Sequence, residues 1–299
     1  MSHVPRLSRA RTRSLAVAAA LMIVIAAGCA PRPAAIPGPA PLRYRDDNFF
    51  TAVTKTADVV YGRAPNRAGD PVTLKLDVYR PTGDTLAKRP VIVFVHGGSF
   101  SSGDKSSPEI LDQTTVFTKK GYVTASINYR LSQQGCGVPN GECIESIVDA
   151  REDAQAAVRF FRANAATYGV DVSRIAIAGT SAGAITALDV AYTPEVPGNS
   201  GNPGFSSAVS GAVSLSGAVI TGNPDPGDAP ALLFHGTEDS LVPYEWATGT
   251  VEQAHDAGLI AYLITWQNDG HVPYVEHRAE ILSVTTNFLY RSFGLPIAN

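Results

Sequence analysis

From Val59 onward the chain alternates short runs rich in β-branched residues with longer amphipathic stretches, the pattern of a sheet covered by helices on both faces. Strands are predicted at Leu74–Tyr79, Val91–Val95, Tyr122–Ile127, Arg174–Ala178, Gly211–Leu215, Ala231–Phe234 and Ala261–Thr265. Several are apolar throughout, as strands buried inside a parallel sheet are. Leu74–Tyr79 alternates apolar with polar residues, which predicts an antiparallel edge strand near the start of the sheet. The clearest helix spans Ile144 to Tyr168, where Ile144, Ile147, Val148, Ala154, Ala157, Val158 and Phe161 recur at helical spacing. Further helices are predicted over Glu109–Lys120, Ala182–Tyr192, Tyr244–Ala257 and Val275–Tyr290. The fold class is therefore α/β, with a mostly parallel central sheet and helices on both faces.

The amino terminus follows another logic. Arg6, Arg9, Arg11 and Arg13 precede an uncharged apolar run from Leu15 to Ala27, too short to span a bilayer comfortably, which predicts an export signal over residues 1–29. Its end, Ala26-Ala27-Gly28-Cys29, resembles the bacterial lipobox, and that resemblance implies cleavage before Cys29 and attachment to the membrane through a lipidated thiol. The position three residues before the cysteine, usually Leu, is Ala26 here. The other reading is a freely secreted protein whose Cys29 leaves with the signal. Residues 30–45, rich in Pro and Ala, are expected to form an extended tether or an unstructured leader ahead of a domain over 46–299.

Composition narrows the partners. A net charge of −3, with 17% charged residues and no long run of one sign, offers no electrostatic footprint for nucleic acid. Cys136 and Cys143 are the two cysteines left after the signal, and an exported chain meets an oxidising compartment, so they are expected to pair. Closing so short a loop contributes about 2–3 kcal/mol before strain. No histidine lies near them, and no metal site or cofactor is expected.

The central chemical signal is Arg174-Ile175-Ala176-Ile177-Ala178-Gly179-Thr180-Ser181-Ala182-Gly183, an apolar strand running through G-x-S-x-G into a helix-forming segment. A strand-to-helix turn this sharp needs Gly179 and Gly183 to bend and pack, leaving Ser181 above the sheet at a helix N-terminus, where free N–H groups stabilise developing negative charge. The alternative for such a serine is a plain helix cap. Upstream, Val91–Val95 runs into His96-Gly97-Gly98-Ser99, which resembles the H-G-G-G oxyanion loop of esterases and lipases. By that resemblance the N–H groups of Gly98 and Ser99 point into an oxyanion hole together with that of Ala182. Ser99 stands where the motif has its third glycine, and His96 is expected to brace the loop.

These two motifs, with Asn128-Tyr129-Arg130-Leu131 after a strand, resemble the carboxylesterase and lipase branch of the α/β-hydrolases over nearly all of Val59 to Phe293. Within that branch the run from Asp149 through Arg159 to Ser181 is similar to bacterial esterases related to feruloyl and acetyl esterases. The resemblance implies the order nucleophile, acid, base. His235-Gly236-Thr237-Glu238-Asp239 through Val242-Pro243 then offers Asp239 as the acid, with Glu238 one position off as competitor. His271, in Asn268-Asp269-Gly270-His271 after the last strand, is the expected base, with Gly270 allowing an unusual turn before it. His255 and His277 are expected on helix surfaces. The Gly- and Pro-rich segment from Thr193 to Phe205 is too small to build a cap domain, so an open site for short or medium acyl esters, or acetyl and feruloyl groups on a polysaccharide, is expected. A serine peptidase on the same fold and an inactive binding protein are the rival readings.

Overall fold

The apolar runs do form a sheet, and their alternate side chains feed two separate cores. The computed structural model of the chain describes residues 31–35, 42–136, 140–193 and 198–296. The elements are β1 (Val53–Pro65), β2 (Pro71–Pro81), β3 (Arg89–Val95), α1 (Pro108–Lys120), β4 (Val123–Ile127), α2 (Gly141–Ala163), the single turn α3 (Ala165–Tyr168), β5 (Val170–Thr180), α4 (Ala182–Ala191), β6 (Ala212–Leu215), β7 (Ala231–Gly236), α5 (Tyr244–Asp256), β8 (Ala261–Trp266) and α6 (Tyr274–Ser292). The eight strands lie in the order β1-β2-β4-β3-β5-β6-β7-β8. β2 pairs antiparallel with β1 and with β4; every other pairing is parallel. Val91, Val93 and Val95 face one layer with α2, α4 and α5, while Ile92 and Phe94 face the other with α1 and α6. That period-two division leaves β3 buried along its whole length.

Two expectations need correction. β2 is antiparallel but is not the edge, because β1 lies outside it. β1 carries little apolar alternation because most of its residues are exposed, and irregular register between Thr56 and Val59 and between Val60 and Gly62 breaks what periodicity remains. The long helix is also shorter than expected: it stops at Asn164, and the next turn ends on left-handed Gly169.

The export signal and Cys29 lie outside the described residues. Part of the leader is described, and it packs on the domain: Arg291 donates to the carbonyls of Ala34 and Ala35, and the buried Tyr44 ring meets Tyr122 at 4.8 Å. Arg43 joins Arg89 on the buried carboxylate of Asp84. Burial works against the charge on Asp84, but the two guanidinium groups and the Leu86 N–H outweigh it and lower its pKa from 3.8 to about 2. A carboxyl depressed on folding stabilises the native state above its unfolded pKa and loses that contribution as pH falls towards its folded one. The difference in unfolding free energy between wild type and Asp84→Asn is therefore expected to be full at about pH 5 and to shrink between about pH 4 and 2, by denaturant titration. A pH-independent difference would refute the assignment.

Candidate active site

Ser181 sits on the turn from β5 into α4 with φ 54° and ψ −119°, a conformation rare for any residue with a side chain. Its two glycines are required by contact: a Cβ on Gly179 would stand 2.1 Å from the Gly183 carbonyl oxygen, and one on Gly183 would stand 2.1 Å from that of Val95. The turn is tied to the sheet by the Ser181 N–H donating to Leu215 at 2.8 Å. No side-chain capping bond is made by Ser181, which argues against the plain helix cap.

His271 arrives from the loop after β8 and Asp239 from the loop after β7. His271 Nε2 lies 2.7 Å from Ser181 Oγ, and Nδ1 lies 2.7 Å from Asp239 Oδ2. Asp239 is buried, whereas Glu238 is exposed and meets the same loop only through its backbone N–H on the Asp269 carbonyl. Burial alone would raise the Asp239 pKa. Bonds from His235, His271 and the Val242 and Leu241 N–H groups overcome it and hold the carboxyl far below its ordinary range.

The left-handed residues of the histidine loop are Asn268 and Val272, not Gly270. The glycine that admits the loop is Gly236, where a Cβ would stand 2.2 Å from the Asp269 carbonyl oxygen. Ser216, itself at φ 59°, accepts the Val272 N–H at 3.0 Å and supports the loop from β6. His277 is not a simple surface residue: its ring stacks on Trp266 at 4.0 Å and bonds Asp269 at 2.6 Å, fastening the loop to α6. His255 bonds the Ala261 carbonyl at the start of β8. Pattern reading cannot find these supports, because each depends on a side-chain contact between different elements that periodicity does not encode.

Gly98, Ser99, Ser181 and His271 line one cleft of about 380 Å³, which also takes in Leu241 and Val272. Neither the Gly98 nor the Ser99 N–H finds a protein acceptor among the described residues, and Ala182, first in α4, has none within its helix. Ser99 takes φ 51° and Phe100 φ 61°, so the serine in place of a glycine holds a left-handed conformation. The loop is braced: Cys136 N–H donates to the Ser99 carbonyl at 3.0 Å, and Ser132 N–H to that of Phe100 at 2.8 Å. Cys136 is in turn disulfide-bonded to Cys143 in the first turn of α2. His96 braces from below, stacked on Tyr129 at 4.4 Å with Nδ1 bound to the Gly97 carbonyl, and burial lowers its pKa. Residues 198–205 contribute nothing to the cleft lining; Ser200, Gly201 and Asn202 bond instead to β1 and α2. Among the described residues no cluster of three or more His, Cys, Asp or Glu is arranged to hold a metal ion.

A serine, histidine and carboxylate joined in this order on the carboxyl ends of parallel strands define a class: the fold is that of the α/β-hydrolases, and carboxylesterases are among the proteins the chain is similar to. The BD-FAE family model matches residues 76–213, and that of the TAP-like proteins matches 216–292. The chain is 30% identical to esterase LipC of Mycobacterium tuberculosis over 66% of its own length and 46% of that protein. It is 32% identical to chlorogenic acid esterase of Aspergillus niger over 42% of its length and 25% of that protein. Among solved structures, a thermophilic esterase of Thermogutta terrifontis superposes with a TM-score of 0.66 at 25% identity, covering 78% of this chain and 91% of that one. The chain spans about half or less of the length of the curated relatives it matches.

Proposed function

We propose that the protein is a serine hydrolase of carboxylic esters, with Ser181 as nucleophile, His271 as base and Asp239 as the acid that orients it. The observation that carries this reading is the unbroken hydrogen-bond chain from Ser181 Oγ through His271 to Asp239, opening on a cleft with unpaired backbone donors. In this mechanism His271 Nε2 takes the hydroxyl proton as Ser181 Oγ attacks the ester carbonyl carbon. The negative oxygen of the tetrahedral intermediate is received by the N–H groups of Gly98, Ser99 and Ala182. The imidazolium returns the proton to the departing alcohol, and water activated by the same histidine releases the acid from Ser181. Nothing in these steps calls on a cofactor.

Short to medium acyl chains, or acetyl and feruloyl groups on a larger alcohol, are the substrates this reading favours. It is supported by the open cleft, by the resemblance to a chlorogenic acid esterase, and by a Thermogutta esterase 2 structure with propionate bound. The test is hydrolysis of p-nitrophenyl acetate and butyrate, with labelling of Ser181 by a fluorophosphonate. Turnover with labelling supports the assignment; no turnover and no labelling would leave a binding protein. We further propose that residues 1–29 direct export and that Cys29 carries a lipid. Incorporation of a lipid precursor should vanish in Cys29→Ala, and a band unaffected by the substitution would refute the anchor.

Because the disulfide anchors Cys136, whose N–H holds the Ser99 carbonyl, reducing Cys136–Cys143 and alkylating both thiols is expected to lower kcat about 5- to 10-fold while circular dichroism stays unchanged. Undiminished kcat after complete alkylation would show that the oxyanion loop holds its shape without the crosslink.

A further inference from the structure

His235 is the penultimate residue of β7 and is fully buried, with its ring edge-on to Tyr244 at 6.0 Å. Its Nε2 lies 2.8 Å from the Val242 carbonyl oxygen, which can only accept, so Nε2 carries a proton. The same nitrogen is 3.2 Å from Asp239 Oδ2, the oxygen that also meets His271 Nδ1 at 2.7 Å. The other ring nitrogen is buried without a partner. Asp239 Oδ1 is occupied separately, by the N–H groups of Leu241 and Val242 at 2.9 Å each. Val242 therefore donates to one carboxylate oxygen and accepts from the ring that holds the other, closing a small cycle around Asp239. A histidine kept only for its volume would have no need to aim its one donor into this cycle.

We propose that His235 is a positioning residue for the reaction, its shared Nε2–H fixing the plane of the Asp239 carboxylate so that Oδ2 faces His271. The groups facing its ring are Asp239, with His271 beyond it, and the Tyr244 ring. The inference rests on the serine-hydrolase reading, and fluorophosphonate labelling separates the two: an unlabelled wild-type Ser181 refutes that reading, whereas the role of His235 is judged on labelled sites alone.

The experiment compares His235→Phe, which keeps a ring and loses the donor, with His235→Gln, whose amide nitrogen replaces Nε2. Per labelled site, His235→Phe is expected to lower kcat about tenfold with KM changed less than about twofold. The acid limb of its kcat/KM profile should move to higher pH, since one donor fewer leaves more negative charge on the oxygen facing the imidazolium. His235→Gln should restore most of both. A wild-type kcat and pH profile in His235→Phe, or no advantage of Gln over Phe, overturns the proposal. Should His235→Phe fail to fold, the tautomer of wild-type His235 decides by isotope-edited NMR: protonation at Nε2 is expected, and a ring protonated at Nδ1 alone overturns it.

Discussion

Ser181→Ala is expected to reduce kcat for p-nitrophenyl butyrate by about 10⁴- to 10⁶-fold with the fold intact. The hydroxyl removed carries the oxygen that becomes bonded to the acyl group, and among the described residues no other hydroxyl is bonded to His271 Nε2 to replace it. What remains is background from the oxyanion donors acting on water. The backbone at this position makes a second, independent prediction. With φ 54° and ψ −119°, Ser181 holds a conformation that glycine adopts far more readily. Ser181→Gly should therefore be inactive yet more stable, by about 1 kcal/mol after the larger unfolded-state entropy of glycine is subtracted. Measured unfolding curves for the three proteins check this, and a less stable glycine variant would mean that the elbow is not strained. Stability given up at this turn would then be the condition of exposing the nucleophile.

Asp239→Asn is expected to lower kcat about 10³- to 10⁴-fold near neutral pH, while Glu238→Gln changes it less than about twofold. The two residues are adjacent, but one is buried under four donors and the other is exposed. An asparagine offers either an N–H to a nitrogen that must itself donate, or a neutral oxygen that stabilises the imidazolium weakly. In the first case His271 is left with the wrong tautomer for accepting the Ser181 proton. Steady-state kinetics on both variants decide the matter, and comparable losses in the two would remove Asp239 from its special place.

Much of this architecture is legible in the amino-acid sequence. The apolar runs read as strands because buried parallel strands have no polar face to disguise them, the alternating run of β2 reads as one by its period of two, and G-x-S-x-G stands out because a strand and a helix flank it. Asp239, His271 and the Cys136–Cys143 pair could be read from their places along the chain, and the structure brings each set together. β1 escaped notice because an exposed, irregular strand has no periodic signature. Gly270, expected to supply the unusual turn, does not adopt a positive φ, since the left-handed turn falls on Val272 and the tight approach on Gly236. Ser216, His235 and His277 are not legible as supports because their meaning is a side-chain contact with a neighbouring loop, which no periodicity or motif encodes.

The position of β8 has a consequence for the timing of activity. A chain leaves the ribosome, or a membrane pore, with its amino terminus first. All strands through β7 are complete by Gly236, and with them the elbow that presents Ser181. β8 joins last, at the outer margin of the sheet, and pairs with β7 alone. His271 lies beyond it, so a chain that has emerged only as far as β7 presents Ser181 without the histidine proposed to take its proton. On the proposed mechanism the site is incomplete until β8 and the loop that carries His271 have joined the sheet.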